Sequence, residues 1–130
     1  MHRKSMTKRL ICAALLLSAP LSQADAAEVL RRGTFKGVGG HKSSGSVEIV
    51  KDGDVLKVVF KADFVLKDAP DPKLAWGKNG YRKDTIFGKL EKLKGEQEYV
   101  IPAGTDVSAF NEFWLWCQRF NVGLAVAKLD

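Results

Sequence analysis

Apolar and polar positions alternate with period two over short stretches of the chain. Ser46-Val47-Glu48-Ile49 reads polar, apolar, polar, apolar, and Leu56, Val58 and Phe60 recur two apart between Lys57, Val59 and Lys61. Period two marks half-buried strands. Between these runs stands Lys51-Asp52-Gly53-Asp54, whose Asp-Gly supplies the positive φ of a tight turn, so a hairpin is expected over residues 46–61. Further strands are expected at Gly33–Lys36, Phe64–Leu66, Lys73–Trp76, Ile86–Leu90, Glu98–Ile101, Glu112–Cys117 and Phe120–Ala127. Gly37, Gly39, Gly40, Pro70, Pro72, Gly77, Gly80, Gly95, Pro102 and Gly104 punctuate them. Helical spacing is scarce, with one turn expected within Thr105–Asn111, capped by Asp or Ser. About eight to nine short strands predict an all-β fold, an antiparallel β-sandwich or barrel-like domain. Phe113-Trp114-Leu115-Trp116-Cys117 is apolar at every position, which predicts a strand buried on both faces.

The first 26 residues follow another pattern. Arg3, Lys4, Lys8 and Arg9 precede an apolar run from Leu10 to Ala19, and Ala24-Asp25-Ala26 follows, the layout of a cleaved secretory signal peptide. The run is half the roughly 20 residues a helix needs to cross a bilayer, and Pro20 ends it, so no permanent membrane span is expected. Cys12 lies inside the run rather than after it and reads as filler. Residues 27–130 are expected to form a single β domain, periplasmic or secreted.

Cleavage changes the inventory. It takes Arg3, Lys4, Lys8 and Arg9 from the 21 basic side chains and Asp25 from the 15 acidic ones, leaving 17 against 14. Cys12, His2, Met1 and Met6 go as well, leaving Cys117, His41 and no methionine. One cysteine makes no internal disulfide and no closed Cys/His zinc site, so no metal site is expected. Cys117 is followed by Gln118-Arg119-Phe120 rather than completing a C-x-x-C-H motif, which excludes c-type haem attachment.

Other motifs resolve to structure. Gly37-Val38-Gly39-Gly40-His41-Lys42 lacks the Gly-Lys-Ser/Thr of a phosphate loop and reads as a turn. Ser43 and Ser44 beside His41 have no G-x-S-x-G elbow. Asp68-Ala69-Pro70-Asp71 matches no calcium loop and reads as a turn. The basic residues are interspersed with acidic ones, which argues against nucleic acid.

Trp114 and Trp116 lead up to Cys117, with Arg119 two residues on. Cysteine is among the most buried residue types, so an inert core thiol is the plain reading. The functional reading needs access and an activating charge, which Arg119 supplies if the strand stays regular and withholds if a bulge intervenes at Gln118.

These residues carry a resemblance. Gly33-Thr34-Phe35, His41-Lys42-x-x-Gly45-x-Val47, Asp63-Phe64 and Pro70-Asp71 appear in order. Leu90-x-x-Leu93-Lys94-Gly95, Tyr99-x-Ile101-Pro102, Trp116-Cys117-x-x-Phe120-x-Val122 and Ala127-x-Leu129 follow. Over about residues 33–129 the chain resembles the DM-thirteen domain family, small secreted β-rich modules associated with electron transfer and often found beside DOMON domains. The resemblance implies a β-sandwich-like fold and a redox role centred on Cys117, either as a bare thiol or as ligand to a prosthetic group such as haem. Ala69 stands where the family usually has glycine, and Asp71-Pro72-Lys73 where an apolar strand normally begins, so the departures fall on that loop. For haem, His41 is the second available ligand, weaker than Cys117, and Trp116, Arg119 and Trp114 are supporting residues. A lone thiol has no internal disulfide to cycle through, so a redox partner protein or small molecule is implied. The competing reading is a non-enzymatic cell-envelope binding or adhesion module in which Cys117 fills the core and the loops at 37–45 and 68–83 meet the partner. No conventional catalytic constellation of base, nucleophile and orienting group is present.

Overall fold

The computed structural model describes residues 27–130; the expected signal peptide, residues 1–26, lies outside the described residues. Ten strands form: β1 (Glu28–Gly37), β2 (Ser43–Ser44), β3 (Ser46–Asp52), β4 (Val55–Phe60), β5 (Val65–Leu66), β6 (Pro72–Gly77), β7 (Gly88–Lys89), β8 (Gln97–Val100), β9 (Glu112–Cys117) and β10 (Val122–Lys128). Eight of them make one antiparallel sheet in the order β7-β6-β9-β10-β1-β3-β4-β8, which curls into a half-barrel, while β2 and β5 pair separately. The expected all-β, barrel-like architecture is the observed one.

The hairpin β3–β4 pairs Asp52 with Val55, so its two-residue loop is Gly53-Asp54, and the positive φ belongs to Gly53 at the first loop position. That placement suits a turn whose first residue must be left-handed. The period-two pattern then sends Val47, Ile49, Val58 and Phe60 inward, each with no exposed surface. The concave face fills with rings: Phe35, Phe60, Phe64 and Phe113 lie within 4.6–6.2 Å of one another where they meet, and Trp76 stacks between Phe87 and Phe110. Each such side chain contributes about 1.5–3 kcal/mol of burial.

Four local expectations change. β1 starts at Glu28, because Arg31 reaches across to the carbonyls of Val107, Phe110 and Leu129 and ties the strand to both ends of the last hairpin. The segment Ile86–Leu90 keeps ladder pairing only at Gly88–Lys89, the sheet edge, and β2 pairs with β5 although its Ser-Ser sequence carries no periodicity. The expected helical turn does form, the one such turn among the described residues, as a 3-10 turn at Val107–Ala109 with the Asp106 side chain accepting from the Ser108 N–H. The fourth change concerns β9 and positions the site.

Candidate functional site

Alternation along β9 separates two sets of side chains. Phe113, Leu115 and Cys117 point into the core and are fully buried. Glu112, Trp114 and Trp116 take the opposite face, where both tryptophans remain half-exposed. The strand is therefore not buried on both faces as its composition predicts. An indole carries an N–H that wants a partner, and this face provides partners beside an aromatic surface.

Cys117 ends β9. It pairs across the sheet with Pro72 of β6 and Val122 of β10, and its sulfur joins the packed core with no exposed area. Residues 118–121 turn back over it, and the Phe120 N–H donates to Cys117 Sγ at 3.4 Å. Asp71, immediately before β6, clamps this turn. Its carbonyl accepts from the Gln118 N–H at 3.4 Å, its carboxylate accepts from the Arg119 N–H at 3.0 Å, and it pairs with Lys73 at 3.3 Å. Lys73 in turn donates to the Gln118 side-chain carbonyl at 2.9 Å. Asn121 closes the turn in the left-handed region at φ 54°. Asp71, just before β6, and Lys73, within it, are thus the residues that hold the 118–121 turn.

The other expected site residues go elsewhere. The strand does not continue through Arg119, whose guanidinium lies in the open, 5.9 Å from the Phe120 ring centre. His41 sits in a cleft of about 310 Å³ with Gly40, Lys42, Lys67 and Asp68, and Cys117 does not line it. Haem on Cys117 needs a slot for the macrocycle against the sulfur. The sulfur is instead enclosed by core side chains and lines none of the surface clefts, so the residues present do not fit haem.

On the outer face, Tyr81 from the β6–β7 loop lies flat on Trp116, ring centres 3.6 Å apart and planes 5° from parallel. Trp114 meets both edge-on, at 5.9 Å from Trp116 and 6.2 Å from Tyr81. Close approach is possible because Gly77 and Gly123 flank the rings; a Cβ would come within 2.4 Å of the Trp114 Nε1 at Gly77 and 2.8 Å of the Trp114 ring at Gly123. Trp116 Nε1–H donates to Asn121 Oδ1 at 3.2 Å, and Trp114 Nε1–H donates to Glu112 Oε1 at 3.0 Å. The same oxygen accepts from the Gly80 N–H at 2.7 Å, which ties the Tyr81 loop to β9. Burial, and after it the charge of Asp84, raises the Tyr81 phenol above its ordinary value of 10.0. Tyr81 and Trp116 border a cleft of about 420 Å³ completed by Lys83, Asp84, Ile86, Gln118 and Asn121.

Sequence reasoning found Trp114, Trp116 and Cys117 but missed Tyr81 and Glu112. Tyr81 lies in a loop without periodicity. Glu112 did leave a trace, as the one polar residue heading an apolar strand, two positions from Trp114.

Among known proteins, a family model described as "Electron transfer DM13" matches residues 34–129. No curated protein and no solved structure matches the chain.

Proposed function

The chain belongs to the electron transfer DM13 family, and from that premise we propose that it is an exported electron-transfer domain whose redox residue is Cys117. The carrying observation is the Phe120 N–H directed at Cys117 Sγ. The sulfur is thereby hydrogen-bonded as well as packed, and the bond comes from the turn that follows it in the chain. The turn that follows Cys117, residues 118–121, is exposed and is held by Asp71 and Lys73. Opening that turn brings the bare thiol to a redox partner protein or small molecule while the sheet stays intact. The basic start and apolar run of residues 1–26 support export to the periplasm or beyond. Among the described residues no helix is long and apolar enough to cross a membrane.

A second reading has its own observation. Cys117 has no exposed surface, as a structural core cysteine would have, and the domain is then a binding or adhesion module working through its loops at 37–45 and 68–83. Protein-film voltammetry separates the two. With oxidised glutathione supplied as the small-molecule disulfide that a lone thiol needs, the wild-type chain is expected to give a mixed-disulfide wave that is absent from both Cys117→Ser and Cys117→Ala; no wave from the wild type, or a wave retained by both folded variants, overturns the assignment.

A further inference from the structure

Glu112 is the one buried charged side chain among the described residues, 9% exposed, and no salt bridge joins it to a basic group there. Burying a carboxylate without a cation is costly unless neutral donors compensate. Its donors are the Gly80 N–H and the indole N–H of Trp114, both on Oε1. A glutamine would accept both hydrogen bonds without the charge. What the carboxylate adds is basicity, placed on the one acidic hydrogen of an indole whose rings continue through Trp116 and Tyr81 to a surface cleft.

We propose that Trp114, Trp116 and Tyr81 form a one-electron relay between the surface cleft and the outer face of β9, with Trp114 as its proton-coupled site and Glu112 as the proton acceptor. The relay rests on the electron-transfer reading and extends it by naming where electrons cross the surface. An outer-sphere one-electron oxidant at the cleft removes one electron from the stacked Tyr81–Trp116 pair. An electron from Trp114 refills that pair. One-electron loss makes the indole N–H acidic, and its proton moves along the existing 3.0 Å hydrogen bond to Glu112 Oε1, leaving a neutral indolyl radical and a carboxylic acid. Reduction by one electron returns the proton to nitrogen, so charge and atoms balance in both directions. Neutralising the carboxylate as the radical forms keeps a buried charge from building up between them.

The test is flash oxidation of the full chain by ruthenium(III) tris-bipyridine, generated by light in the presence of a sacrificial quencher, with the radical followed by transient absorption. The wild type is expected to yield a neutral indolyl radical at a rate independent of buffer concentration. Trp114→Phe is expected to shift the oxidising equivalent to a tyrosyl radical at Tyr81. Glu112→Gln keeps the hydrogen bond and removes the base, so neutral-radical formation is expected to slow by about a hundredfold and to become buffer-dependent. An unchanged indolyl signal in Trp114→Phe, or an unchanged rate in folded Glu112→Gln, overturns the relay. Should Glu112→Gln not fold, the wild type decides alone, because a formation rate that climbs with buffer base means that the proton leaves to solvent. Repeating the measurement on Cys117→Ala separates the two proposals: the indolyl radical is expected to persist there, and its loss would sink a relay independent of the sulfur while leaving the voltammetric test of Cys117 untouched.

Discussion

The two faces of β9 use one alternating sequence for opposite ends. On the inner face Phe113, Leu115 and Cys117 are sealed among rings and branched side chains, where the interior holds almost no polar group and shape complementarity sets the energy. On the outer face Glu112, Trp114 and Trp116 keep polar contacts, the two indoles stay partly exposed, and Trp116 borders a cleft. Six consecutive residues thus place a sulfur in a dry interior and an indole pair at a wet surface, back to back. Adjacent residues in a strand share a backbone and little else, so closeness in sequence to Cys117 says nothing about contact with its sulfur.

Substitutions on the two faces should differ most in stability. Phe113→Ala removes a ring that touches Phe35, Phe60, Trp76 and Phe87, and is expected to cost about 3–5 kcal/mol in chemical denaturation. A loss below about 1 kcal/mol would mean that the inner face is not the close-packed one. Gly123→Ala probes the outer face without touching the core. Its Cβ would meet the Trp114 ring at 2.8 Å, and a loss of about 1–3 kcal/mol is expected, together with a change in tryptophan fluorescence from the displaced ring. Unchanged stability and emission would remove the close packing inferred there.

The smallest effect is on titration. Burial holds the Tyr81 phenol above 10.0, so the folded state favours the neutral form; the associated stability is present below that pH and is lost as pH rises through the folded value. Trp116→Ala uncovers the phenol and is expected to move its absorbance titration back toward 10.0. The measurement belongs in a Tyr99→Phe background, because burial raises Tyr99 as well. A midpoint that stays put in Trp116→Ala would show that the stack does not shield Tyr81.

The sequence was most legible where the signal is local. Alternation and Asp-Gly located the hairpin, the apolar run placed β9 at Glu112–Cys117 residue for residue, and Asp106 capped the one helical turn. The family landmarks Trp116, Cys117, Phe120 and Val122 turn out to be the end of β9, the turn over the sulfur and the start of β10. What escaped is long-range. Tyr81 reaches Trp116 from 35 positions upstream, and Asp71 grips Arg119 across 48 positions, contacts that no periodicity encodes. The solvated outer face of β9 escaped for another reason, since tryptophan counts as apolar in any pattern while its N–H tolerates a half-exposed setting.

The most direct test of Cys117 as a covered but reachable redox residue is its alkylation by iodoacetamide in the folded chain as denaturant is added in small steps, for wild type and Asp71→Ala. Opening of the 118–121 turn alone exposes little surface, so the account predicts a native rate far below that of the unfolded chain, nearly independent of denaturant well below the unfolding transition, and faster in Asp71→Ala. A rate that follows the global unfolding free energy from the first addition, with Asp71→Ala changing it no more than its loss of stability requires, would contradict the account and leave Cys117 a core-filling residue.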